Sequence, residues 1–181
     1  GLLWLVYFLS THPEWNGRIT AELADLAPRA EDALISPQET PVMQACIKET
    51  LRLMPPAWSF FRTAKESVEF DGYSIPKNTV IMISPYILHR DKTVWPSPET
   101  FDPERFLGDA EIHPYRYMPF GQGPHICIGN RLAMTEIHAI AVTLFSRFSF
   151  TFESPAAPIP DVTPEAIISS ISPVRAYVHH R

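Results

Sequence analysis

Residues 120–129 read Phe-Gly-Gln-Gly-Pro-His-Ile-Cys-Ile-Gly, and they constrain what this chain can fold into more than any other stretch. Gly121, Gly123 and Pro124 dictate a loop, since glycine accepts backbone angles closed to other residues and proline fixes its own φ. Residues 130–148 follow with Leu132, Ile137, Ile140, Ala141, Leu144 and Phe145 as the apolar face of a helix. Cys127 therefore precedes a helix N-terminus, where free amides and the helix dipole favour a thiolate over a thiol. A lone cysteine can equally be a small buried hydrophobe, the reading that suits Cys46. The glycines around Cys127 argue instead for a sulfur that backbone amides approach closely.

The chain has 181 residues, 45 % hydrophobic and 19 % charged, enough for one domain with a real core over residues 1–181. A formal net charge of −5 gives no sign of nucleic-acid binding. Two cysteines, Cys46 and Cys127, make neither a disulfide framework nor a C-x-x-C zinc pair. Gly1 is followed by the apolar run Leu2 to Leu9, too short to span a bilayer and without signal-peptide flanks. That run reads as the second half of a buried helix, which predicts that the chain is the C-terminal piece of a longer one. Leu2, Leu3, Trp4, Leu5 and Phe8 are then expected to lack packing partners and to form an exposed patch.

The remaining elements follow from local signals. A helix is expected over residues 14–26, and Thr40-Pro41 opens another as cap and first-turn proline. Val42, Met43, Cys46, Ile47 and Leu51 form its apolar stripe, and Pro55-Pro56 stops it. Glu49 and Arg52 lie on one face of it at i, i+3. Residues 67–70 and 73–76 flank Asp71-Gly72 as a hairpin, joined in a small antiparallel sheet by a strand over 79–84. A short helix covers 86–90. Residues 91–119 are irregular and rich in aromatic residues and proline. Residues 148–152 alternate as a strand, 155–164 are a proline-rich connection, and 166–171 pairs with 174–179 in a closing hairpin. The fold class is mainly α with small antiparallel β-sheets.

The loop resembles the cysteine-ligand loop of the cytochrome P-450 family, whose pattern is Phe-x-x-Gly-x-(Arg or His)-x-Cys-x-Gly. Phe120, Gly123, His125, Cys127 and Gly129 fill its fixed positions. The stretch around Glu49-Thr50-Leu51-Arg52 resembles the family's Glu-x-x-Arg helix, and Phe101 to Phe106 its meander motif, in which Arg105 would join Glu49 and Arg52 in one buried network. The resemblance covers essentially the whole chain, as the C-terminal portion of that fold without the N-terminal part and most of the central helix.

The resemblance implies a haem b (iron protoporphyrin IX), held noncovalently because no C-x-x-C-H attachment motif is present. Cys127 would be its axial thiolate and metal ligand, and the haem would lie against Phe120, Gly121, Gly123 and Gly129. Arg62 and His125 match the propionate partners. Ala57, Trp58, Ser59 and Phe60, with Ser169 and Ser170, match segments lining the substrate pocket and imply a small apolar substrate. His12, His89 and His113 have no ligand set around them and read as structural. The implied activity is a monooxygenase fed by an electron donor, a ferredoxin or a flavin reductase, docking near Arg116 and Arg131. A peroxygenase or isomerase using the same haem without external electrons stays open, as does a truncated chain that loads no haem; residues 1–181 alone are expected not to turn over substrate.

Overall fold

The computed structural model describes residues 1–26, 35–108, 112–152, 162–164, 168–170 and 175–181. Helices α1 (Leu2–Thr11), α2 (Pro13–Ala24), α3 (Pro41–Leu53) and α5 (Asn130–Arg147) form its body, with the short α4 (Pro85–Leu88) beside them. Among the described residues the strands make four two-stranded antiparallel sheets. These are β1 (Phe60–Thr63) with β4 (Val80–Ile83), β2 (Val68–Phe70) with β3 (Tyr73–Ile75), β5 (Phe148–Phe152) with β8 (Ala176–His180), and β6 (Val162–Pro164) with β7 (Ile168–Ser170).

The first helix is not left bare. α1 packs on α2, α3 and β5, and Trp4, Leu5 and Phe8 are buried; Leu3 alone among the five predicted patch residues is exposed outright. Phe8 stacks on Phe101 at 4.7 Å, so the chain beyond α4 returns to cover it. Burial of each such large apolar side chain contributes about 1.5–3 kcal/mol. His12, at φ −127 and ψ 80, breaks the chain between α1 and α2, and Pro13 restarts it.

The α3 start departs from its sequence signal. Thr40 makes no side-chain cap; its hydroxyl bonds His138 Nε2 of α5 at 2.7 Å. Glu22 of α2 takes over, its two carboxylate oxygens accepting the Val42 and Met43 amides at 2.8 and 3.0 Å. A carboxylate at a helix N-terminus is favoured by the same dipole that any cap exploits.

Two strand pairings also differ from expectation. Asp71 and Gly72 both take positive φ, 48 and 78, which closes β2–β3 as a hairpin on its own. β4 then returns to β1, a strand the sequence did not mark, with Asn78 at φ 69 turning the chain so that Asn78 N–H reaches the Ala64 carbonyl. At the C-terminus 168–170 pairs with β6 and 176–180 with β5, so the expected closing hairpin does not form. β8 is held beside β5 because Arg181 reaches the Arg147 and Phe148 carbonyls and Asn16 and Thr20 of α2. The expected turn at Ser172-Pro173 lies outside the described residues, as does the connection over 155–161.

On α5 the buried residues are His138, Ala141, Val142 and Phe145, whereas Leu132 and Ile140 of the predicted face are exposed. The helix is turned so that its 138/141/142/145 side meets α2 and α3.

Candidate functional site

Cys127 stands in the loop between a 3₁₀ turn over Gly123–His125 and the start of α5. Its N–H donates to the Phe120 carbonyl at 2.9 Å, and its own carbonyl accepts from Asn130 N–H at 3.3 Å. The loop can cross itself this way because Gly121 and Gly123 take φ +74 and +75, angles that L side chains rarely adopt. A side chain at Gly129 would sit 3.8 Å from Cys127 Sγ, so glycine there leaves the flank of the sulfur open. Cys127 is exposed, and so are Ile126, Ile128 and Leu132, with Ile128 fully accessible. The thiol therefore lies on an uncovered apolar surface.

β1 adjoins this loop. A Cβ on Gly121 would meet Phe60 Cε1 at 4.0 Å, and the Arg62 guanidinium lies 4.8 Å over the Phe60 ring while donating to the Phe61 carbonyl. The structure thus brings Arg62, Phe60 and the cysteine loop together. His125 is exposed at the far end of the 3₁₀ turn. Phe120 is half-buried and packs against the core.

Behind the loop is a polar cluster anchored on α3. Arg52 donates to Glu49 through Nε at 2.6 Å and NH2 at 2.8 Å, and both side chains are inaccessible. Arg52 also donates to the His89 carbonyl at 2.6 Å and the Thr100 carbonyl at 3.2 Å. Glu49 accepts the Asp102 N–H at 2.9 Å, and Arg105 Nε lies 3.4 Å from it. Burial pushes the Glu49 carboxyl up, opposed by Arg52, the Asp102 amide and Arg105. The cluster ties α3 to the chain that runs into the cysteine loop.

His89, at the C-terminal end of α4, completes it, although it offers no sequence signal beyond a histidine in the expected short helix. Fully buried, it bonds the Arg52 carbonyl through Nδ1 at 3.1 Å and takes the Met118 N–H on Nε2 at 2.9 Å. Burial pushes its pKa down to about 4, and the neighbouring Arg52 and Arg90 charges add to that. His12 bonds the Phe8 carbonyl, and His113 takes the Tyr115 N–H.

The other predicted pocket residues are less gathered. Ala57 is exposed, Ser59 half-buried, and Trp58 packs on the core while its carbonyl accepts from Ser84 and Tyr86. Ser169 and Ser170 lie on β7, and their side chains are outside the described residues. A cleft of about 220 Å³ beside the loop, floored by Lys48, Tyr117 and Met134, is below the roughly 300–1,000 Å³ of an organic-ligand site. Arg116 and Arg131 are both exposed. Among the described residues no helix is long and apolar enough to cross a membrane.

The family model for cytochrome P450 matches residues 1–177. The chain belongs to the cytochrome P450 family. Cytochrome P450 4A10 of Rattus norvegicus is 37 % identical over 183 residues, covering 98 % of this chain and 35 % of the relative. Cytochrome P450 3A12 of Canis lupus familiaris is 39 % identical over 155 residues, with 82 % and 30 % covered. Cytochrome P450 3A19 of Capra hircus aegagrus is 37 % identical over 155 residues, with 82 % and 70 % covered. The chain thus spans about a third of the length of the first two relatives. Mixed helices with small antiparallel sheets agree with a partial cytochrome P450 fold, and at the level of the family the chemistry is that of haem-thiolate monooxygenases.

Proposed function

We propose that the protein is a haem-thiolate monooxygenase that inserts one oxygen atom of O2 into a small apolar substrate, with Cys127 as the axial ligand of a noncovalently held haem b. The observation that carries this reading is an exposed cysteine, held by two left-handed glycines, on a surface of exposed Ile126, Ile128 and Leu132. A flat apolar macrocycle fits such a surface. Among the described residues no cluster of three or more His, Cys, Asp or Glu gathers as a metal site. A porphyrin would bring the iron at Cys127 its other ligands.

Bound there, the haem supplies oxygen activation, helped by thiolate electron density that favours O–O cleavage. The protein's part is to hold and orient. The hydrogen bond that the Cys127 N–H donates to the Phe120 carbonyl fixes the direction of the ligand. Gly121, Gly123 and Gly129 keep side chains from between loop and macrocycle, and Phe120 closes the inner side. Arg62 offers five donors, one of them used by the Phe61 carbonyl, and a propionate is the partner suited to the rest. His125 offers a ring N–H to the second propionate. Trp58 and Phe60, with Ala57, Ser59, Ser169 and Ser170, are assigned to the substrate side, where aromatic residues favour an apolar molecule. Glu49, Arg52 and Arg105 hold the framework. Electrons come from a ferredoxin or flavin reductase, steered by Arg116 and Arg131.

The test is Cys127→Ala in the full-length protein. The red-shifted ferrous–CO band of a thiolate-ligated haem is expected in the parent and lost in the variant. Its survival in the variant removes Cys127 as the ligand.

A further inference from the structure

The polar cluster on α3 and the cysteine loop meet at one side chain. We propose that His89 is a positioning residue that sets the backbone register of the cysteine loop by tying the Met118 amide to α3. The inference rests on the haem-thiolate reading of that loop.

The backbone partners fix the state of the ring. The Arg52 carbonyl can only accept, so Nδ1 carries the proton; the Met118 N–H can only donate, so Nε2 is bare. Burial keeps the ring neutral at ordinary pH and thereby keeps Nε2 available. The grip is reciprocal. The His89 ring holds the Arg52 carbonyl, and the Arg52 guanidinium holds the His89 carbonyl at 2.6 Å. Arg52 is itself fixed by Glu49 through two bonds. The ring is also stacked on Tyr117 at 5.4 Å and 25°, and Tyr117 Oη donates to the Lys48 carbonyl of α3. His89 therefore has no freedom independent of α3.

From Met118 the connection runs on to the sulfur. The Met118 carbonyl accepts the Gly121 N–H at 3.0 Å, which forms the first turn of the loop. The next carbonyl but one, that of Phe120, accepts the Cys127 N–H at 2.9 Å. Three hydrogen bonds thus link a rigid ring on the buried side to the peptide of the ligand. A shift of the Met118 peptide moves the carbonyl that starts the turn, and the Cys127 amide moves with Phe120. Only a side chain with donor and acceptor on opposite edges of one rigid plane joins these two backbone groups without rotamer freedom. Apolar packing alone does not predict a histidine at this position.

The test uses full-length holoprotein in the diamagnetic ferrous–CO form. In ¹⁵N-histidine-labelled wild type, His89 is expected as the Nδ1–H tautomer with Nε2 accepting, and the opposite tautomer overturns the proposal. His89→Leu is expected to speed exchange of the Met118, Gly121 and Cys127 amides together, about tenfold for the loss of one buried bond. It is also expected to convert part of the thiolate-type CO band to the blue-shifted form. His89→Gln, whose side-chain carbonyl reaches toward the Met118 amide, is expected to restore both in part. Wild-type exchange and an unchanged CO band in the leucine variant overturn the proposal. If that variant does not fold, the glutamine variant decides: a smaller rise in exchange shared by the three amides, with a partly shifted CO band, supports the proposal, whereas faster exchange at Met118 alone with a wild-type CO band overturns it. A wild type without the thiolate-type band removes the haem reading, while the tautomer and exchange measurements still test the clamp.

Discussion

Arg52 and Glu49, three residues apart on α3, meet as a bidentate pair with neither side chain accessible to solvent. Each also serves the irregular chain beyond α4, through the His89 and Thr100 carbonyls and the Asp102 amide. Removing one partner leaves the other charge buried and unpaired. Glu49→Ala should therefore cost roughly 3–5 kcal/mol of stability. Arg105→Ala should cost less, because Arg105 is partly exposed and its Nε stands 3.4 Å from the carboxylate. Urea unfolding of both variants checks the order.

Stability should fall on acidification through His89. Its folded pKa is near 4 and its ordinary value 6.5, so the unfolded chain binds the proton first as pH falls. The contribution is complete above about pH 6.5 and is lost progressively as pH drops toward 4, on the order of 3 kcal/mol. Unfolding curves of wild type and His89→Gln at pH 7.5 and 4.5 should converge at the lower pH.

Gly121→Ala should act locally. The added Cβ has room, 3.9 Å from the His125 carbonyl oxygen, so the penalty is the φ of +74 alone, about 1–2 kcal/mol. Haem occupancy and the CO band should suffer, and the unfolding midpoint should fall by no more than this penalty accounts for. A variant with full occupancy would show that the loop has another low-energy path.

Arg62→Ala should speed transfer of haem to an acceptor protein several-fold and leave the position of the Soret band unchanged. Arg62→Lys should fall between, since an ammonium keeps the charge and loses the fork. Equal transfer rates in all three proteins would take Arg62 away from the propionate.

Charge reversal at Arg116 and Arg131 together should slow reduction by an acidic donor protein. The wild-type rate should drop with added salt and the variant's should respond less. Stopped-flow reduction at two ionic strengths reads both effects.

Sequence by itself determined what depends on neighbours along the chain. Gly121, Gly123 and Pro124 announced the loop because their backbone preferences act within a few residues, and the order of helices followed from period and prolines. The i, i+3 spacing of Glu49 and Arg52 was legible, but their burial was not. Their other partners lie 37 to 53 residues away, and a surface pair has the same spacing. Thr40 carried the sequence mark of a cap, yet packing brought Glu22 to the α3 amides and His138 to the Thr40 hydroxyl. Strand partners were undetermined for the same reason: β1 and β4 close around an inserted hairpin, and β8 goes where Arg181 can reach α2. The rotation of α5, which buries His138 and exposes Leu132, follows from the helices beside it. Local propensity acts over one turn of chain, whereas the pairing of a buried polar group is settled by whichever donor or acceptor the packed core brings within about 3 Å.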